Sequence, residues 1–220
     1  MVECFFIVAI LWIFSLSLHE FGHAFVVYRG GDYTVAEKGY LTMNPLRYLH
    51  PVQSLILPLL FVVLGGIGLP GGAVYIQREL LRSKVWESAM SLAGPTMDLL
   101  LILALGFAFK FGLIPPERSN LATISLAFVL HLLISALLLN MLPIPPLDGF
   151  QAIAPWLPQA TRERLYAMSN FGLFAVLLAL WFIPSLNSAF WGTIRSISSI
   201  FEVEPIWIRQ GYRAFRFWEV

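Results

Sequence analysis

The chain has 220 residues, of which 58% are hydrophobic and only 12% charged, with a formal net charge of +1 and a mean hydropathy of +0.76. So little polar surface cannot cover an ordinary soluble domain of this size, and the composition is that of an integral membrane protein. Net charge near zero and the lack of a basic run exclude nucleic acid as an expected partner, and the lone Cys4 cannot form an internal disulfide.

Apolar segments of spanning length, or close to it, fall at about 4–28, 52–69, 91–114, 121–142 and 166–183. The first begins almost at the N-terminus without the basic region of a secretory signal, so it reads as a retained span. Within its apolar run from Phe5 to Val27 stand His19-Glu20-Phe21-Gly22-His23. On a helix, residues four apart project within about 40° of each other, so His19 and His23 can reach one metal ion with Glu20 beside them. Two neutral imidazoles on Zn²⁺ and a carboxylate serving as general base are the parts of a zinc hydrolase. Ionisable groups are costly in lipid and mark functional sites there, which gives the pattern more weight than it has in a soluble chain.

Downstream, Gly30-Gly31-Asp32 and Gly39 to Pro45 are turn-forming, and Pro115-Pro116 predicts a tight hairpin between two membrane helices. No stretch is long enough for a soluble domain. Residues 1–185 are therefore expected to form one membrane-embedded domain, and 186–220 an amphipathic C-terminal segment. The stripe Leu186, Phe190, Ile194, Ile197 and Phe201 suits an interfacial helix, with a sixth span as the alternative.

A catalytic zinc needs a third protein ligand. His50 sits at a loop boundary, while His131 lies midway along its apolar helix, as a core residue or a reserve ligand. Asp148 follows Pro143, Pro145 and Pro146, which forbid helix there and present it on extended backbone at a helix end. It is either a ligand on a fixed perch or the N-cap of the next helix. Asp98 is either the partner that orients a metal-binding histidine or a neutral helix-packing residue.

His19 to His23 in a first membrane helix, Ser91-Leu92-Ala93-Gly94-Pro95 opening a middle one, and Asn140 through Gly149 closing another together resemble the site-2 protease family. The resemblance to these intramembrane zinc metalloproteases covers roughly residues 10 to 155. It implies that His19, His23 and Asp148 bind Zn²⁺, that Glu20 is the general base, and that Asn140 holds the substrate carbonyl or oxyanion. The chain departs from the family pattern at Tyr40, Tyr48 and His50, and at Asp98, where the family usually has Asn. It also has no room for a PDZ domain between its membrane helices.

The expected fold is an all-α polytopic membrane protein of about five to six membrane helices with a re-entrant hairpin or short β element. Parity demands the latter. His19 lies roughly 22 Å along the first span, and Asp148 returns to that depth only if 52–69 turns back through Leu69 to Gln77 instead of crossing. Gly65, Gly66, Gly68 and Pro70 supply the bend, and Ala73 to Gln77 a strand whose edge can pair with substrate. The face so defined carries most of the Lys and Arg, so positive-inside sets the site nearer the cytoplasm. The expected activity is cleavage of a transmembrane or juxtamembrane segment of a membrane protein in the lipid bilayer. A non-catalytic metal- or client-binding protein of the same architecture and a metal-ion transporter are the alternatives. Neither of those needs a non-ligand carboxylate such as Glu20 beside the histidines.

Overall fold

A computed structural model describes residues 2–42, 44, 76–115 and 120–219. Among them all regular structure is helical: α1 (Val2–Gly30), α2 (Thr34–Glu37), α3 (Lys84–Lys110), α4 (Leu121–Asn140), α5 (Asp148–Ile153), α6 (Gln159–Ala167), α7 (Ser169–Phe182), α8 (Pro184–Ile200) and α9 (Pro205–Phe215). Three of these, α1, α3 and α4, are long and apolar enough to cross a membrane. With 29, 27 and 20 residues they measure about 43, 40 and 30 Å at 1.5 Å per residue, against a hydrocarbon core of about 30 Å. The protein is a polytopic, all-α integral membrane protein.

Helix is the only solution for such runs in lipid, because each backbone group must find its partner within the segment. The ends follow local chemistry. Gly31, at φ +120°, takes the chain out of α1, and Gly112, at φ +70°, ends α3, a conformation open to glycine at little cost. At the start of α4, the Asn120 side chain accepts the Ala122 N–H at 2.9 Å. Ile183, extended before Pro184, separates α7 from α8. The span expected at 166–183 is thus divided: α7 has 14 residues, about 21 Å, and crosses only if joined to α6 as one bent span.

Helix α3 runs antiparallel to α1, with Gly30 against Trp86 and Leu81 and His19 against Asp98. Helix α4 runs parallel to α1: Ser125 donates to Cys4 Sγ at 3.1 Å, while Trp12, Leu133 and Ala136 share one wall further along. The core lies between these three helices and α9, with Val8, Trp12, Ile102, Phe128, Leu132 and Phe215 all buried. Helix α9 closes the end away from the histidines, where Cys4 Sγ–H reaches Gly211 O at 3.6 Å and a Cβ at Gly211 would overlap Ile124 O. Helix α8 lays Trp191 flat on His131, ring centres 5.4 Å apart, and buries Ile194 completely. The stripe expected to meet headgroups therefore packs partly on protein.

The expected re-entrant segment 52–69, the bend at Gly65 to Pro70, the strand from Ala73 to Tyr75, Tyr48 and His50 lie outside the described residues. The chain on either side of that stretch is described, and its two ends meet. Arg82 N–H donates to Gly30 O at 3.0 Å, and Asp32 accepts the Gln77 N–H at 2.9 Å. A 3₁₀ turn at Arg78–Leu80 follows, from which Arg78 reaches Gln151 of α5 and Tyr166 of α6.

Candidate metal centre

Close approach of α1 and α3 builds the site. Gly22 permits it, since a Cβ there would come 2.9 Å from Ala93 O and 2.8 Å from Met97 Cγ. His19 and His23, one turn apart, then face α3, and each is held through its Nδ1. His23 Nδ1 lies 2.7 Å from Met90 O, and His19 Nδ1 lies 2.8 Å from Asp98 Oδ2. A carbonyl and a carboxylate can only accept, so each Nδ1 carries a proton and each Nε2 of a neutral ring presents its lone pair.

The two Nε2 atoms are 3.0 Å apart. Asp148 Oδ2 is 3.2 Å from the one on His19 and 3.6 Å from the one on His23. These three residues are the group able to hold a metal ion among the described residues. Three acceptors converging in this way repel one another unless a proton or cation lies between them. Tetrahedral coordination with bonds of about 2.0–2.1 Å sets ligand atoms about 3.3 Å apart, which the three separations bracket. Two imidazoles and one carboxylate fit zinc, and the hydrogen bonds at Nδ1 are those that orient metal-binding histidines.

Gly94 faces this cluster. A Cβ there would overlap His23 Nε2 and come 2.5 Å from His19 Nε2. Asp148 occupies the first turn of α5, where Leu147 is the N-cap and no side chain caps the helix, so its carboxylate is turned to the histidines and not to its own backbone. Gly149 lets α5 abut the end of α4, because a Cβ there would overlap Met141 O. Glu20 is buried at 4% exposure beside the pair. Asn140, the last residue of α4, shares a small chamber with His19 and Asp98. His131 is elsewhere, stacked between Trp191 and Phe128.

Sequence reasoning missed the Met90 carbonyl, a backbone group that no residue type announces. It also gave no physical role to Gly94, although the Ser91 to Pro95 motif drew attention to it. The carboxylate at Asp98 leads to a direct expectation. Asp98→Asn keeps an oxygen for the His19 Nδ1–H and should hold zinc within about tenfold of the native affinity, whereas Asp98→Leu should lose about 10–100-fold. Competition against a chelator of known affinity measures both.

Among known proteins, the chain is 43% identical to the “Putative zinc metalloprotease Rip2” of Mycobacterium tuberculosis over 209 residues, 95% of this chain and 79% of that one. It is 41% identical to the protein of the same name from Mycolicibacterium smegmatis over 218 residues, 99% of this chain and 82% of that one. To the “Putative zinc metalloprotease YwhC” of Bacillus subtilis it is 28% identical over 186 residues, covering 81% of each. No family model and no solved structure matches it. Identity of this order across nearly the whole chain, joined to the His-Glu-x-x-His helix and the Asp148 turn, makes the conclusion plain: the chain belongs to the site-2 protease family of zinc metalloproteases.

Proposed function

We propose that this chain is an intramembrane zinc endopeptidase that hydrolyses a peptide bond within or beside a transmembrane segment of a membrane protein. The observation that carries this reading is the convergence of His19 Nε2, His23 Nε2 and Asp148 Oδ2 within 4.8 Å of one another, with Glu20 buried next in the chain to His19. His19, His23 and Asp148 would hold the zinc. Bound there, Zn²⁺ supplies a Lewis acid that polarises the scissile carbonyl and lowers the pKa of the attacking water.

The remaining work falls to side chains. The Glu20 carboxylate takes a proton from the attacking water and returns it to the leaving amine. Asp98 and the Met90 carbonyl keep both imidazoles in the tautomer that leaves Nε2 unprotonated. Asn140 offers an amide N–H to the substrate carbonyl as charge develops on its oxygen. A spanning substrate hides its peptide bonds in its own helix, so it must unwind locally before attack. The strand edge expected at Ala73 to Gln77 would then take up the freed N–H and C=O groups.

The same reading includes about five to six membrane elements, with 52–69 returning to the face it leaves, a membrane domain to about residue 185, and the active site nearer the cytoplasm. What supports the return is the pairing of Arg82 with Gly30 at one end of α1. Charge supports the orientation, because that end holds Arg29, Arg78, Arg82 and Lys84 against Lys110 at the other end of α3. Single cysteines at Tyr40, Ser83 and Gln159, in a Cys4→Ser background, should label from one face of sealed vesicles and one at Ser119 from the other. Opposite labelling of Tyr40 and Ser83 would remove the return.

The activity is tested with purified chain in bilayer discs and a model single-span substrate. Cleavage that stops on chelation and resumes with added zinc is expected. Zinc uptake without cleavage of any of a panel of such substrates would replace the protease with a metal-binding or transporting protein.

A further inference from the structure

Beneath His19, on the side away from the α1 C-terminus, α1, α3 and α4 leave a closed chamber walled by Trp12, His19, Asp98, Ala136 and Asn140 among others. It offers about 10 Å³ to the centre of a water molecule, the room of a single water. Its polar groups are not satisfied by protein. Trp12 is 3% exposed, yet its indole N–H meets no acceptor among the described residues. Asp98 gives Oδ2 to His19 Nδ1, which leaves its second oxygen for another donor. Asn140, also 3% exposed, closes the third side.

We propose that one water molecule occupies this chamber, bound by Trp12, Asp98 and Asn140, and that it steadies the Asp98 carboxylate against His19. The water accepts the Trp12 indole N–H, donates one proton to the second Asp98 oxygen, and donates the other to the Asn140 amide oxygen. Those are three hydrogen bonds, the usual complement of a buried water. In an apolar bundle a carboxylate bonded on one oxygen only is free to rotate. Engaged on both, it keeps the His19 ring plane, and therefore Nε2, in a fixed direction. Trp12 is on this account a positioning residue that acts two links away from the metal. The positioning half rests on His19 being a zinc ligand; the water itself does not.

The test uses the full chain in bilayer discs. Ultraviolet resonance Raman spectra of the metal-free native chain minus Trp12→Phe isolate one of the seven tryptophans and report whether its N–H is hydrogen-bonded. A bonded N–H is expected, and it should become free in Ala136→Val, whose added methyls fill the chamber. Zinc affinity, read by chelator competition, should fall about 3–10-fold in both variants, less than on removal of a direct partner of the imidazole. A free Trp12 N–H in the native chain overturns the water. A bonded N–H with native zinc affinity in both variants overturns its positioning role. A native chain that takes up no zinc overturns the metal reading and the positioning role together, while the Raman result still decides the water.

Discussion

Glu20→Gln is expected to leave about one zinc per chain and to lower the cleavage rate by about 10²–10⁴ or more, the range by which a positioned general base accelerates proton transfer. Glutamine keeps the size and the hydrogen-bonding oxygen of the side chain while losing the capacity to take a proton. The comparison that gives this meaning is with His23→Ala and Asp148→Ala. Each removes one corner of the cluster in which ligand atoms lie 3.0, 3.2 and 3.6 Å apart, so both zinc and cleavage should be lost. Metal content by mass spectrometry beside single-turnover cleavage separates the two patterns. Native activity in Glu20→Gln would end the protease reading, and full zinc in Asp148→Ala would pass the third position to another residue, His131 being the next to test.

Gly94→Ala should be as damaging as loss of a ligand, although it adds one methyl group and removes nothing. That methyl would enter the space where both Nε2 atoms converge, and α3 can make room only by withdrawing from α1. Withdrawal also stretches the hydrogen bonds from Met90 O to His23 and from Asp98 to His19. The expected result is a chain that inserts and keeps its helix content but holds zinc at least about 100-fold more weakly, since both imidazoles lose their orienting partners at once. Circular dichroism with chelator competition checks this. Native zinc affinity in Gly94→Ala would show that the helices are not pressed together at this level.

What could be read from the sequence follows a physical divide. His19, Glu20 and His23 were legible because helical spacing alone brings them together, whatever surrounds the helix. Asp148 was legible because three prolines force extended backbone and single out what they carry. The pairings across helices were not, since nothing in the chain states that Met90 lies beside His23. Asp98 could be singled out as a carboxylate in an apolar run, but its choice between orienting a histidine and packing a helix needed the 2.8 Å contact. Hydropathy dated α3 from residue 91 because it senses only the lipid-facing part of a helix. The structure begins it at Lys84, one charged turn and more earlier. For 186–201 the sequence showed a stripe without showing what covers it, and α4 covers part of it through Trp191 on His131.

The meeting of Cys4 with Gly211, 207 residues apart, has a consequence for the order of events in synthesis. The first helix enters the membrane early, but one end of its packing is supplied by almost the last helix made. Until α9 arrives, Phe128, Val8 and the face of α4 that receives Gly211 have no lid. Closure over so long a stretch comes late in assembly. A nascent chain would therefore carry its histidines for most of its synthesis in a bundle still open at the far end, and the clamp between α1 and α4 would tighten only as the C-terminal helix docks.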